Sequence, residues 1–334
     1  MINILLTSAG RRGYLVEYFV DALAGRGRVI AANSDASAPA LAAADQIAIL
    51  PYADDPGFAD ALVACCQKYE IDLIFSLHDW EAPAIARLKS RLLKEASTLA
   101  VVPDPEICHL CLDKLEMFEW ALAQGVESPR VWTDPAVAIA EYKGPYIVKG
   151  RYGQGSLGLI KVDSPALLPA AWDLVGEQLR AASAPLVDGV DDIGAPLICE
   201  FIEGTEYGID ILNDFEGNHI ATLVKEKCGM RAGETDIAVS RDLPEISAFG
   251  ARIGSALGHP GQCDADVIVR DGIPFLIECN PRFGGHYPFS HHAGANIPKY
   301  LIDLYENGQG DPADLEMAPD IAHMKTIGFA RINS

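Results

Sequence analysis

From Ile2 to Val102 the chain alternates short apolar runs with amphipathic ones, and this rhythm constrains the fold more than any other feature. Ile2 to Thr7, Arg28 to Ala32, Ile71 to Leu77 and Leu99 to Val102 read as strands; Gly13 to Ala24, Pro56 to Tyr69 and Glu81 to Lys94 read as helices. Strand and helix in succession predict a parallel, doubly wound sheet, because the crossover helices come to cover both of its faces. Between the first strand and the first helix lies Ser8-Ala-Gly-Arg-Arg-Gly13, a turn whose free backbone N–H groups at a helix N-terminus can hold an anion. Gly10 and Gly13 do not complete a G-x-G-x-x-G fingerprint. An NAD-dependent dehydrogenase is then supported only by Asp35, placed where a ribose ligand and a solvated loop aspartate are equally at home.

The 334 residues exceed what one simple core holds, and 49% hydrophobic content marks an ordinary globular chain of two or three packed units. With 26 basic against 47 acidic residues the formal charge is −21, which opposes broad attraction to nucleic acid or to an anionic membrane. A phosphate ligand must therefore be held by local basic positions. No apolar run reaches the roughly 20 residues that span a bilayer, and MINILLTSAGRRG lacks the order of a signal peptide, so a cytoplasmic protein is expected. Eight cysteines, with Cys65 and Cys66 adjacent, do not read as a disulfide framework at this length. Cys108-His-Leu-Cys111 has redox or zinc spacing but no second pair to complete a site, and takes no role.

Beyond Pro103 the alternation breaks, and Asp113 opens a helix with Leu115, Phe118 and Leu122 on one side that stops at Gly125. The strand Pro145 to Lys149 then runs into Gly150-Arg-Tyr-Gly-Gln-Gly-Ser-Leu-Gly158. Backbone N–H groups in such a loop can approach phosphates closely, with Gly153, Gly155 and Ser156 as candidate contacts. It is not a Walker A motif, since no Gly-Lys-Ser/Thr follows, and alone it could equally be a flexible hairpin. Further strands from Pro196 onward favour an α+β layer.

The most informative stretch is Asp264-Ala-Asp-Val-Ile-Val-Arg-Asp-Gly-Ile-Pro-Phe-Leu-Ile-Glu-Cys-Asn-Pro-Arg282, two apolar strands joined at Asp271-Gly272. Alternation puts Glu278 and Asn280 on one face. A loop of residues 271–273 pairs Arg270 with Pro274 and hence Asp266 with Glu278, whereas a two-residue turn puts Asp266 on the wrong face. The longer loop is the expected register. Asp266, Glu278 and Asn280 are hard oxygen donors of the kind magnesium accepts alongside water and nucleotide phosphates.

These segments resemble the ATP-grasp superfamily, and within it the short carbamoyl-phosphate-synthase-like carboxylate–amine ligases. The resemblance is carried by Asp113-Lys114, by Ile147-Val-Lys149 before the glycine-rich loop, by Cys199-Glu-Phe-Ile-Glu-Gly204 and by Glu278-Cys-Asn-Pro-Arg282. It implies three units: a Rossmann-like pre-ATP-grasp domain over 1–105, a central lid subdomain over 106–195, and a C-terminal antiparallel subdomain with the metal site over 196–334. Position by position it implies ATP phosphates on Lys114 and Lys149, the adenine edge at Glu200, Phe201 and Ile202, and ribose on Glu203. Asp210 is grouped with these nucleotide-binding positions. Magnesium falls on Asp266, Glu278 and Asn280, and the transferred phosphate on Arg282. Gly150 departs from the proline that relatives often carry after the lysine.

The implied reaction is ATP-dependent and ADP-forming: a small carboxylate, an amino acid or a sugar acid, is activated as an acyl phosphate and joined to an amine. Bicarbonate activation through carboxyphosphate and a nucleotide-binding regulatory module are the alternatives. Substrate positions are read more loosely. Arg231 and Thr235 lie in Lys225-Glu-Lys-Cys-Gly-Met-Arg-Ala-Gly-Glu-Thr235, a polar segment expected to form a substrate-facing loop. Arg231, like Lys149 and Arg282, is expected in a catalytic role because a guanidinium can pair bidentately with a carboxylate; an exposed arginine fits the segment nearly as well. Arg11 in the first turn, and Asp79 and Glu81 after the third strand, are further candidates, although the last two can also cap the next helix. His286, Ser290 and His291, in Phe283-Gly-Gly-His-Tyr-Pro-Phe-Ser-His-His292, complete the set as a substrate wall or a structural cluster. A homodimer is the assembly such relatives suggest.

Overall fold

The first strand, β1 (Ile2–Thr7), is buried along its whole length, as befits a strand with both faces covered. In the computed structural model, which describes residues 1–153, 158–182, 194–231, 233–326 and 328–329, it is the centre of a parallel five-stranded sheet ordered β3-β2-β1-β4-β5. The partners are β2 (Gly27–Asn33), β3 (Gln46–Ile49), β4 (Leu73–Ser76) and β5 (Leu99–Ala100). Helix α1 (Gly13–Leu23) covers one face, and α2 (Phe58–Tyr69) and α3 (Ala82–Ala96) the other, so the doubly wound arrangement expected from the alternation is present. β3 was not anticipated: it is an edge strand whose side chains are largely exposed, so it lacks an apolar signal. Asp35 is exposed after β2 and accepts from the N–H and hydroxyl of Ser37 (2.8 and 2.7 Å), a local turn rather than a ribose site.

Helices α4 (Pro105–Leu112) and α5 (Lys114–Ala123) lead into a four-stranded sheet ordered β6-β9-β7-β8. Its strands are β6 (Val131–Trp132), β7 (Tyr146–Gly150), β8 (Ile160–Val162) and β9 (Pro196–Glu200), backed by α6 (Pro135–Glu141) and α7 (Leu168–Ala181). β9 pairs with β7 from Gly150↔Pro196 to Tyr146↔Glu200, so the central sheet extends past the boundary expected at 195. The glycine-rich segment joins β7 to β8 as an antiparallel hairpin. Gly155 and Ser156 lie outside the described residues.

A six-stranded sheet ordered β14-β13-β10-β11-β12-β15 completes the chain. It contains β10 (Thr205–Asn213), β11 (His219–Arg231), β12 (Glu234–Arg241), β13 (Gly261–Arg270), β14 (Ile273–Asn280) and β15 (Ala322–Met324). The remaining helices are α8 (Pro244–Leu257), α9 (Tyr287–His292) and α10 (Ile297–Asn307). Alternation divides this sheet sharply. Ile209, Ile211, Val224, Cys263, Ala265 and Val267 pack with α5 and α8. The intervening Asp210, Lys225, Gln262 and Asp264 are also buried, but on the opposite face, toward α9. The expected polar loop at 225–235 is therefore mostly strand: Lys225 to Arg231 end β11, and Thr235 lies in β12.

Candidate active site

A cavity of about 440 Å³ is lined by residues of the four-stranded and six-stranded sheets together with Lys114 of α5. The N-cap of α5, Asp113, accepts from the backbone N–H groups of Leu115 (3.0 Å) and Glu116 (3.3 Å). Asp113 also receives Arg151 through Nε (2.7 Å) and Nη2 (2.5 Å), which ties the helix start to the base of the glycine-rich hairpin. From there Lys114 Nζ donates to the Gly153 carbonyl (2.8 Å) and pairs with Glu278 Oε1 (3.1 Å). Lys149, on β7, lines the same cavity with its ammonium 5.0 Å from the Phe118 ring centroid. It makes no ion pair among the described residues. Burial pushes its pKa down and the nearby Lys114 adds to that, so an arriving anion meets a half-buried cation with no ion pair among the described residues.

At the other end, the Glu200 carboxylate sits between Arg130 Nε (3.0 Å) and Arg270 Nη1 (2.8 Å). These arginines hold it below the usual carboxylate range against the upward push of burial. With its charge already matched, the segment can offer a ligand its backbone and the Phe201 and Ile202 side chains, all in the cavity wall. Glu203 is exposed and is not among the lining residues.

Asp266 faces Glu278 as expected, but by another route. The turn has two residues, Asp271 and Gly272, both with positive φ (52° and 79°), and pairs Arg270 with Ile273. A bulge at Ile277 then resets the register, so that Val267 pairs with Leu276 but Asp266 with Glu278. Lys227 Nζ contacts Asp266 Oδ1 at 2.5 Å. Burial raises the Asp266 pKa, and the neighbouring carboxylates Asp264 and Glu278 add to the rise. Carboxylate oxygens that repel one another beside this cavity fit a magnesium ion. Asn280 shares their strand face and pairs with Asp264, yet it lines a small void with Asp79 and Cys111 rather than the large cavity.

Beyond the metal strand, Arg282 is buried between two acids, with Nη1 on Asp264 Oδ2 (2.7 Å) and Nη2 on Asp79 Oδ2 (2.9 Å). Its Nε has no hydrogen-bond partner. Asp79 comes from the loop after β4, so Arg282 joins the parallel sheet to the metal strand. Gly284 is required close by: a Cβ there would stand 2.1 Å from Asp264 Cγ.

Comparison with known proteins agrees with this fold. A family described as "PylC-like, N-terminal domain" matches residues 4–100, and one described as "ATP-grasp in the biosynthetic pathway with Ter operon" matches residues 193–327. The chain has an ATP-grasp fold. N5-carboxyaminoimidazole synthetase from Staphylococcus aureus complexed with ADP superposes with a TM-score of 0.74 at 14% identity, covering 98% of this chain and 82% of that one. L-amino acid ligase from Bacillus licheniformis does so with a TM-score of 0.68 at 18% identity, covering 96% and 78%. Human carnosine synthase 1 is 24% identical over 50% of this chain and 20% of its own length. This chain spans less than a quarter of the length of the curated relatives it matches.

The ATP-grasp cavity gathers Lys114, Lys149, Gly153, Glu200, Phe201, Ile202, Asp266 and Glu278, but it does not gather the expected substrate residues. Asp210, expected among the nucleotide contacts, does not line the cavity. It is fully buried, bonded by Lys225 Nζ, by Ser290 Oγ (2.5 Å) and by Gln262 Nε2 (2.7 Å). Burial pushes its pKa up, but Lys225 and His286 hold it below the ordinary value. Ser290 is thus structural. His286 is wedged between Asp210 and Asp264; Asp264 outweighs the burial penalty and holds the imidazole above its ordinary pKa. Glu81 is enclosed by hydroxyl donors from Thr7, Ser8 (2.8 Å) and Ser76 (2.8 Å), which leaves it no face for substrate. His291 stacks on Tyr18, ring centroids 3.7 Å apart.

Arg231 is exposed at the β11–β12 tip and pairs with Asp236 (2.9 Å), so the structure does not bring it to Arg282. Thr235 is buried in the strand opposite Met230. Arg11 points the expectation one residue astray: it is exposed, while Arg12 is turned inward to the carbonyls of Leu77 and Phe283 (3.4 Å to the latter). Asp264, Lys225, Lys227 and Arg12 were missed. The first three had a signal in the alternation, each lying two residues from a polar neighbour on the same strand face. Among the described residues, no helix is long and apolar enough to cross a membrane.

Proposed function

We propose that the chain is an ADP-forming ligase that activates a small carboxylate with ATP as an acyl phosphate and transfers the acyl group to an amine. The observation that carries this reading is Lys149, a half-buried ammonium with no ion pair among the described residues, in one cavity with the Asp266–Glu278 pair. ATP would lie with its adenine along Glu200–Ile202 and its phosphates toward Lys114 and Lys149. The substrate carboxylate, already a nucleophile at neutral pH, attacks the γ-phosphorus and ADP leaves; the amine then attacks the acyl carbon, phosphate leaves, and the amine nitrogen loses a proton. Asp266 and Glu278 would hold magnesium, which when bound neutralises charge on the phosphates. Arg282, fixed by Asp79 and Asp264, supplies rigid positive charge where the transferred phosphate develops.

The test is magnesium-dependent release of ADP and phosphate across amino acids and sugar acids, with and without amines, and with a bicarbonate arm. Release that requires one acid and one amine supports the reading. Stimulation by bicarbonate alone replaces it with carboxyphosphate chemistry. Failure of ATP to bind overturns the nucleotide assignment altogether.

A further inference from the structure

In the order β3-β2-β1-β4-β5 the chain winds outward from β1 in one direction and then returns to its other side at β4. Ligands of open α/β sheets bind at such a reversal, in the crevice beyond the carboxyl ends of the two strands. Arg12 spans this crevice. It follows β1, donates from Nη1 to the Leu77 carbonyl that follows β4, and reaches the carbonyl of Phe283 just past Arg282. The turn that carries it is fixed: Ser8 holds a positive φ (50°) and donates to buried Glu81 at 2.8 Å, while the Gly10 N–H donates to Asn33 Oδ1 at 3.1 Å.

Arg12 makes no ion pair among the described residues. The nearest acids are engaged elsewhere, Asp79 and Asp264 both on Arg282. At hydrogen-bond distance its charge is therefore met by neutral carbonyls, with Asp79 and Asp264 favouring it only as neighbours, beside a second guanidinium whose Nε is unbonded. Burial, with Arg282 adding to it, disfavours the charged state of Arg12, the electrostatic signature of a site that awaits an anion.

We propose that Arg12 binds a second carboxylate, additional to the one that is activated, so that one substrate reaches the site with a free carboxylate that stays unreacted. This rests on the ligase reading for its place in the reaction. That carboxylate belongs either to the amine, which is then an amino acid, or to the far end of a diacid donor.

The experiment is calorimetric binding of glycine, glycinamide, succinate and propionate to the full chain, with and without magnesium and a non-hydrolysable ATP analogue, for wild type, Arg12→Met and Arg12→Lys. Binding of glycine but not glycinamide assigns the carboxylate to the amine, and binding of succinate over propionate assigns it to a diacid. Arg12→Met should weaken the preferred ligand by roughly 10- to 100-fold, as loss of a charge-assisted hydrogen bond does, with analogue affinity unchanged and Arg12→Lys intermediate. Equal binding of acid and amide, binding of none of the four, or unchanged selectivity in a folded Arg12→Met protein would overturn the subsite. If the analogue itself fails to bind wild type, the ligase reading falls, and the arms without nucleotide still decide the carboxylate site.

Discussion

Replacing Lys225 with methionine tests whether the buried polar face of the six-stranded sheet behaves as one electrostatic unit. Lys225 and Asp210 are both fully buried, and the ammonium contacts Asp210 Oδ2 and Ser290 Oγ (2.9 Å). Methionine fills the same volume, so the change leaves Asp210 with the Ser290, Gln262 and His286 contacts but without its strongest cation. Breaking one side of a buried pair costs roughly 3–5 kcal/mol. There is a ceiling, because the carboxyl can take a proton instead: at pH 7 that costs about 4 kcal/mol from an ordinary aspartate pKa of about 3.9. Thermal unfolding should therefore fall by roughly 6–16 °C, at about 2–4 °C per kcal/mol for a unit of this size. If the proton is taken up, the folded variant has a raised Asp210 pKa, and its stability improves as pH falls toward the unfolded value. The deficit against wild type should then shrink by about 1.4 kcal/mol per pH unit from pH 7 to pH 5. Adding Asp210→Asn should recover most of the loss at pH 7. A deficit below about 1 kcal/mol, or a double variant as unstable as the single one, would refute the reasoning.

Glu278→Gln should raise the magnesium concentration needed for turnover at least roughly 10-fold, with little change in melting temperature. Lys149→Met should weaken ATP binding by roughly 10- to 100-fold in calorimetry without lowering the stability of the nucleotide-free protein, since it removes a half-buried charge that has no ion pair among the described residues. Gly284→Ala drives a Cβ into Asp264 and so displaces Arg282; turnover should drop on the order of 100-fold while ATP affinity holds, and a folded variant with wild-type turnover would sever Arg282 from the reaction. His259 is buried between Asn213 Nδ2 (3.4 Å) and the Ile211 carbonyl (3.3 Å), and burial pushes its pKa down to about 4. The neutral ring contributes stability above the unfolded pKa of about 6.5 that is lost as pH falls toward the folded value, about 2 kcal/mol by pH 5; His259→Asn should lose correspondingly less in melts at pH 7.5 and pH 5.

The parallel sheet was legible because each of its inner strands is buried on both faces and so reads as a mostly apolar run, as in Ile2-Asn-Ile-Leu-Leu-Thr7. β3 was not, because Gln46, Ile47 and Ile49 are exposed at the edge and leave no pattern to find. β9 was seen as a strand but joined to the wrong sheet. Its sequence specifies an apolar strand, whereas its partner is decided by β7, far away along the chain.

The metal pair shows how a correct contact can rest on an incorrect register. Asp-Gly favours a two-residue turn, since both residues accept positive φ, and that preference is obeyed. Taken alone it would have set Asp266 opposite Ile277, on the wrong side of the sheet. The bulge at Ile277 restores the pairing with Glu278, and no residue type in Phe275-Leu-Ile-Glu278 announces it, because a bulge there is fixed by packing on both sides of the hairpin. The structure does not bring the nucleotide candidate Asp210 or the substrate candidates Glu81 and Ser290 to the cavity, for the complementary reason. They have the chemistry of ligands, but their partners Lys225, Thr7 and Ser76 come from other strands, and only the folded chain shows that their polar atoms are already occupied. A polar residue in a motif is a candidate ligand until its neighbours are known. By that standard Arg12, whose neighbouring acids Asp79 and Asp264 are both bonded to Arg282, is a stronger candidate than any of the substrate residues that the sequence put forward.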